Sequence, residues 1–260
     1  MNIWHMNGAG NDFMVMDARG LTLDMPALAR QLCAITGADG FMAVDHSEIA
    51  DFRLHFYNSD GSRGEMCGNG SRCICRFAYE NHIAGETMTV QTDAGVIYGW
   101  HLDETQYRVR LNEPGVLDLQ RKETAAYVEL GCPGVPHGIV QMPGLEWCQR
   151  EQLRPLAKAL RFDPAFPKGA NINFYTWLGE GQIRILTYER GVEDYTLACG
   201  TGTASLACAL FAAGALPGKR LIAENPGGTL TVRLEGEDKQ ITAVYLEGPT
   251  QVQEILNMDL

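Results

Sequence analysis

The sequence has no surplus of positive charge: its 260 residues carry a formal net charge of -11. A surface of that sign repels phosphate backbones and anionic headgroups, which argues against nucleic acid or an anionic membrane face as the main partner. A small anionic substrate stays admissible, because a pocket can differ from the average surface. No run of about 20 apolar residues occurs, so no transmembrane helix is expected. The start, Met1-Asn2-Ile3-Trp4-His5, lacks a basic segment, an apolar core and a cleavage signature, and cytoplasm is the expected location. Among the eight cysteines, Cys67, Cys73 and Cys75 do not form the paired short gaps of a zinc site, and no metal is expected. Without a leader the eight are not read as a disulfide framework either.

What is present is ordinary material for a globular protein, 45% hydrophobic and 20% charged. The length fits one large domain or two small ones. An internal repeat decides for two. Phe56-Tyr57-Asn58 precedes Glu65-Met66-Cys67-Gly68-Asn69-Gly70 in the first half. Tyr188-Glu189-Arg190 precedes Leu197-Ala198-Cys199-Gly200-Thr201-Gly202 in the second. Cys67 and Cys199 lie 132 positions apart, and the same offset carries Phe56 onto Tyr188. Thr92-Asp93-Ala94-Gly95 pairs similarly with Asn225-Pro226-Gly227-Gly228, and Asn112-Glu113-Pro114 with Glu247-Gly248-Pro249. Matches in one order at a nearly fixed spacing mean two homologous halves.

Local patterns repeat too. Residues 52–57 and 183–188 alternate as half-buried strands do. Each leads through a turn into Cys-Gly-X-Gly and then a helix, over 71–80 and 203–213. The second helix has Ser205 as its one polar residue from Ala204 to Ala213, so it is expected to be buried all round. The first, with Cys73, Ile74, Phe77 and Ala78 apolar, is expected to be less so. Short strands follow at 87–91, 96–101 and 108–111, and at 221–223, 230–234 and 242–246. Residues 153–160 read as an outer amphipathic helix. The expected fold is α+β, with two pseudo-symmetric domains, each a curled, mostly antiparallel sheet around a central helix. The boundary should fall soon after Pro114: residues 1–115 plus 250–260 in one domain, 116–249 in the other. No Gly/Ser-rich linker separates them, and a substrate cleft is expected between them.

Each cysteine precedes Gly-X-Gly at a helix start. Glycine lets the backbone approach a ligand closely, and the helix end offers unpaired N–H groups and a positive dipole. A thiolate is favoured there, and a carboxylate can bind beside it. A lone copy could be a cap or a weak anion cradle. Two copies related by a pseudo-two-fold axis would set facing thiols on either side of one carbon. Inverting a carbon centre requires that: one face loses a proton while the other gains one. The helix ends would stabilise charge spreading into the carboxylate.

These residues resemble the diaminopimelate epimerases, amino-acid isomerases that work without pyridoxal phosphate. The resemblance rests on Gly8-Ala9-Gly10-Asn11-Asp12-Phe13, Asn58-Ser59-Asp60-Gly61-Ser62, Met66-Cys67-Gly68-Asn69-Gly70 with Arg72-Cys73, Pro136-His137, Ala170-Asn171-Ile172, Tyr188-Glu189-Arg190-Gly191, Ala198-Cys199-Gly200-Thr201-Gly202 and Pro226-Gly227-Gly228. It implies that Cys67 and Cys199 are the catalytic pair. Gly68, Asn69, Gly200 and Thr201 would hold the reacting carboxylate through backbone N–H groups, and Asn11 would bind substrate. Asn58, Asn171 and Arg190 would grip the far end of the substrate. Glu189 and His137 would tune the thiols or hold the ammonium group. The implied reaction converts LL- to meso-2,6-diaminopimelate, in lysine and peptidoglycan precursor synthesis, without a cofactor and in a homodimer.

Each of these residues also has a plainer reading. Asn58 could make the turn at Ser59-Asp60-Gly61, Glu189 and Arg190 could be a solvated pair, and His137 a structural histidine in a loop after Pro136. Cys73, Cys75 and Cys208 are expected in the core, and His5 and Asp12 in structural roles. Two positions depart from the family. Asp39-Gly40 lacks the usual following glutamine, and Gly134-Val135-Pro136-His137 has valine in place of asparagine. Both lost side chains would contact substrate, so a racemase of another amino acid is the alternative. The related phenazine-type isomerases lack the cysteine pair, and proline racemases differ in local motif. A non-enzymatic anion binder and a redox dithiol complete the alternatives.

Overall fold

The computed structural model describes residues 1–64 and 67–258. Glu65 and Met66, which open the first Cys-Gly motif, lie outside the described residues, as do the last two. The chain divides into two compact units, Met1–Arg110 with Gly248–Leu260, and Leu111–Glu247.

The first unit holds β1 (Asn2–Gly8), β2 (Asn11–Asp17), α1 (Met25–Thr36), β3 (Gly40–Asp45), β4 (Phe52–Asn58), α2 (Gly68–Glu80), β5 (Thr87–Thr92), β6 (Gly95–His101) and β7 (Gln106–Leu111). The second holds β8 (Pro114–Lys122), β9 (Ala125–Gly131), β10 (Gly134–Gln141), α3 (Arg150–Arg161), β11 (Asn171–Gly179), β12 (Gln182–Glu189), β13 (Asp194–Thr196), α4 (Gly200–Ala212), β14 (Arg220–Asn225), β15 (Gly228–Glu237) and β16 (Gln240–Pro249). The last strand, β17 (Gln251–Asn257), returns to the first unit and pairs with β1.

Strand pairing shows the repeat in three dimensions. In the first unit β17, β1 and β2 are successively antiparallel, β2 and β3 parallel, β3 and β4 antiparallel, β4 and β5 parallel, then β5, β6 and β7 antiparallel where paired. The second unit runs the same sequence through β8, β9, β10, β11, β12, β14, β15 and β16. Each unit is thus a mostly antiparallel sheet with two parallel joints, and α2 and α4 occupy the same place in the order. The helix packing agrees: α2 lies on β1, β2, β3 and β6, and α4 on their counterparts β9, β10, β11 and β15. The fold is α+β with two domains of one design.

The two central helices differ in how they achieve burial. In α4 the buried side chains are small or apolar, with Leu206 and Ala207 fully enclosed. Burying a leucine contributes about 1.5–3 kcal/mol. Against expectation, α2 is buried just as extensively, from Gly68 to Cys75 without a break. The buried set includes the polar residues Asn69, Ser71 and Arg72. Both helices also begin three residues earlier than their apolar pattern indicates, because the Gly-X-Gly segments are themselves the first turn. Cys73, Cys75 and Cys208 lie in the core, as expected. No helix of the described residues is long and apolar enough to cross a membrane.

Candidate active site

Cys67 and Cys199 are the N-cap residues of α2 and α4. Both have extended backbones, φ -110 and ψ 120 for Cys67 and φ -122 and ψ 107 for Cys199. Each carbonyl accepts the first helical bond, from Ser71 N at 2.8 Å and from Thr203 N at 2.9 Å. An extended N-cap turns its side chain back over the first turn, whose N–H groups have no partner within the helix. Gly68 and Asn69, and Gly200 and Thr201, are the residues of those first turns, so each predicted carboxylate-binding pair sits beside its cysteine.

In the second unit the surroundings of the thiol form a connected chain. Cys199 is 7% exposed. Its Sγ accepts from Gly202 N at 3.4 Å and lies 3.5 Å from Thr201 Oγ1. Thr201 Oγ1 is 3.1 Å from His137 Nε2. His137 is not in a loop: it lies inside β10, paired with Val128 on one side and Asn171 on the other. Pro136 is accommodated near the start of that strand. The ring is fully buried, and burial, with the nearby positive charge of Arg190 adding to it, pushes its pKa down to about 3. It is neutral at physiological pH.

Neutrality lets the proton be placed. Asn173 Nδ2 is 3.2 Å from His137 Nδ1 and also faces the carbonyls of Gly138 and Asn171, at 3.1 and 3.3 Å. Those carbonyls can only accept, so this atom is the donating nitrogen of Asn173. His137 Nδ1 therefore accepts and Nε2 carries the hydrogen, which is donated to Thr201. The Thr201 hydroxyl is then left to donate to Cys199. The sulfur receives two hydrogen bonds, an arrangement that stabilises negative charge on it. Gly202 is required in this packing, because a Cβ there would run into Asn173 Oδ1. Asn173 is absent from the residues singled out in the sequence. Its signal was the Asn171-Ile172-Asn173 spacing, which puts both amides on one face of a strand.

The first unit has a chain of its own. Asn11 Nδ2 donates to Asp39 Oδ2 at 3.1 Å, and Asn11 Oδ1 accepts from Asn69 Nδ2 at 2.8 Å. Asn69 Oδ1 accepts from Arg72 at 2.9 Å. The cation can only donate, and Asp39 Oδ2 already accepts from Asp12 N at 3.0 Å, so the two ends fix both amide orientations. Asn11 keeps one hydrogen and one lone pair for a ligand. Asn58 stands outside this chain: its Nδ2 is 3.0 Å from Ser62 Oγ, and its backbone closes the turn to Ser62 and Gly61. The turn-forming reading of Asn58 is therefore real, and the residue is exposed.

The remaining predicted residues gather at the end of β12. Asn171 Oδ1 accepts from Arg190 N at 2.7 Å, and the exposed Arg190 guanidinium donates to Lys168 O at 3.1 Å. Glu189 is the last residue of β12, opposite Asp194 of β13. The two departures from the family differ in cause. At Gly40 a Cβ would lie 2.7 Å from the Phe56 ring and 2.8 Å from Tyr57 O, so Phe56 fills the space a side chain would need. Val135 is half-buried in β10, and nothing in its packing against Leu130 requires valine over asparagine.

Comparison with known proteins gives the family and the fold. The family model described as diaminopimelate epimerase matches residues 3–114 and 132–252. A protein of Aquifex aeolicus named diaminopimelate epimerase is 35% identical, with 93% of this chain and 92% of that one covered. One of the same name from Archaeoglobus fulgidus is 32% identical, covering 91% and 90%. Among solved structures, a Bacillus anthracis phenazine biosynthesis protein of the PhzF family has a TM-score of 0.74 at 17% identity, covering 100% of this chain and 99% of its own. A hydroxyproline epimerase from Agrobacterium vitis has a TM-score of 0.69 at 15% identity, covering 98% and 90%. At those identities the likeness is one of fold.

Proposed function

The chain belongs to the diaminopimelate epimerase family, and on that premise we propose that it epimerises LL-2,6-diaminopimelate to the meso isomer with Cys67 and Cys199 as its two bases. The observation that carries the reading is the duplicated cysteine N-cap. Two units of one design each present a cysteine at the start of a buried helix, beside first-turn N–H groups.

In this reading one sulfur, as thiolate, takes the α-proton and becomes a thiol. The other, as thiol, gives its proton to the opposite face and becomes a thiolate. Protons balance between the two sulfurs, and no electron acceptor enters the reaction. The backbone N–H groups of Gly68, Asn69, Gly200 and Thr201 hold the carboxylate, where the charge of the carbanion spreads. Asn11 orients the substrate, Glu189 faces the ammonium group, and Asn58, Asn171 and Arg190 receive the far amino-carboxylate. His137 acts through Thr201 on Cys199. The active assembly is a homodimer.

A second substrate reading is favoured by one observation, the aromatic ring of Phe56 where the family carries a glutamine at position 40. An amino acid with a less polar far end would suit that surface. One experiment addresses both. The protein is incubated in deuterated water with a panel of amino acids that includes the diaminopimelate isomers, and α-deuterium incorporation is followed. Exchange of the diaminopimelates, lost in Cys67→Ala and in Cys199→Ala, is the expected result. Exchange confined to another amino acid replaces the substrate, and exchange that persists in the double variant removes the two-thiol mechanism.

A further inference from the structure

Arg72 is fully buried, at 0% exposure, on the fifth residue of α2. Three considerations oppose a cation there. Helical side chains lean toward the N-terminus, so the guanidinium lies beside the first turn, at the positive end of the helix dipole. Burial strips its hydration. Among the described residues its hydrogen bonds go to neutral oxygens, Gly68 O at 3.2 Å and Asn69 Oδ1 at 2.9 Å, and its Nε has no acceptor. A buried charge is normally paired.

The scaffold itself does not require this arginine. The repeat places Ala204 at the same position of α4, also fully buried, and that helix packs on the counterparts of the four strands under α2 as well as on β8 and β14. Charged groups on the strands around α2 are engaged elsewhere. Asp12 meets His5 and Asn7, Asp17 binds Arg19, Asp45 binds His55, and His101 stacks on Tyr79. Arg76 of the same helix is bound to Glu80 and to Thr250 O. Among the described residues, the anion-forming groups that act on Arg72 are three thiols, those of Cys73, Cys67 and Cys75. Burial pushes Cys73 and Cys75 up to about 12, so both stay protonated. Cys67 is the partly exposed member of the three.

We propose that Arg72 is the built-in countercharge of the Cys67 thiolate, a positioning residue whose repeat-equivalent position, Ala204, carries no charge. The inference rests on the reading of Cys67 as a base. In that scheme the two halves reach one end by different means. The second supplies neutral donors, Gly202 N and Thr201 Oγ1, and the first supplies a fixed positive charge. Binding Asn69 as well, the same guanidinium holds the first turn of α2 in place.

The test reads each thiol separately, in the full chain and without substrate. Iodoacetamide labelling of Cys67 and of Cys199 is followed by peptide mass spectrometry across a pH series. In the wild type, Cys67 labelling is expected to reach half its maximum below the ordinary thiol value of about 8.5. In Arg72→Gln, which keeps neutral donors for Gly68 and Asn69, that midpoint is expected to rise by about 1–3 units. Labelling at neutral pH then slows by about tenfold or more. Arg72→Lys should stay near the wild type, and Cys199 should move in neither variant. A folded Arg72→Gln protein with an unchanged Cys67 midpoint overturns the proposal, as does an equal shift at both cysteines. Should Arg72→Gln fail to fold, the wild-type midpoint decides, since a value at or above that of an ordinary thiol sinks the idea. Labelling needs no turnover, so its outcome is independent of the deuterium-exchange result.

Discussion

The amide nitrogen of Asn173 stands 3.2 Å from Nδ1 of His137, and with the Gly138 and Asn171 carbonyls that identify it as the donor it fixes which ring nitrogen carries the proton. Reversing it should reverse everything downstream. Asn173→Asp keeps the shape but offers only acceptors, so Nδ1 must hold the hydrogen and Nε2 becomes an acceptor. Thr201 would then donate to His137, and Cys199 would lose one of its two donors. One hydrogen bond is worth about 1 kcal/mol net, so α-proton exchange should slow by roughly fivefold. Nitrogen NMR of His137 should show the tautomer change. A normal exchange rate alongside a switched tautomer would detach His137 from the chemistry.

His137 also predicts a pH dependence of stability. Its folded pKa, about 3, lies below the unfolded value of about 6.5. Between these values the unfolded chain binds a proton that the folded chain does not. The contribution is therefore complete above the upper value and is lost as pH falls toward the lower, by about 1.4 kcal/mol per unit. Lowered carboxylate pKa values, such as those of Asp17 and Asp45, act only nearer and below 4. Urea unfolding at about pH 5 and pH 7 spans this window. His137→Gln should flatten the difference, and an equally steep variant would assign the slope elsewhere.

Ser205 is fully buried in α4 and its hydroxyl has no partner among the described residues. A buried unsatisfied hydroxyl costs about 1–3 kcal/mol, whereas alanine there has nothing to satisfy and a higher helix propensity. Ser205→Ala should be neutral or stabilising, by up to about 1 kcal/mol, in thermal unfolding. A loss of more than about 1 kcal/mol would point to a bound water or a ligand at that hydroxyl.

The part of the fold that was legible in the sequence is the part set by local chemistry. Cys-Gly-X-Gly marks both helix starts because a sharp turn and an N-cap are short-range events. The repeat carried the rest of the two-domain design, including the alternating strands β4 and β12. α1 went unread although its signals are present: Asp24 accepts from Ala27 N at 3.1 Å, Pro26 lies in the first turn, and Gly37 closes the helix at φ 76. The residues that organise the thiols were illegible for a different reason. His137 meets Asn173 because β10 and β11 run parallel in a particular register, and no local pattern fixes a register between strands separated by a helix. Arg72 was visible only as part of a motif. Its significance comes from burial with no carboxylate beside it among the described residues, and that is a tertiary fact.

Gly40 offers a test of how the chain compensates for its departure from the family. A Cβ at this position would come within 2.7 Å of the Phe56 ring and 2.8 Å of Tyr57 O. The ring end belongs to a movable side chain, but the carbonyl belongs to the strand β4 that pairs with Gly40. Gly40→Gln alone should therefore destabilise by about 1–3 kcal/mol, the usual cost of overpacking. Phe56→Leu alone should cost a similar amount through lost packing, including its edge contact with Phe13. Combined, the two should cost less than their sum, because removing the ring relieves one of the two clashes but not the one with the backbone. Urea unfolding of the four proteins measures that coupling. Simple additivity would mean that Phe56 does not fill the place of the missing glutamine, and the substrate preference inferred from it would lose its support. Positive coupling, followed by a higher rate of diaminopimelate exchange in the double variant, would make Phe56 the residue that sets how polar a far end this enzyme accepts.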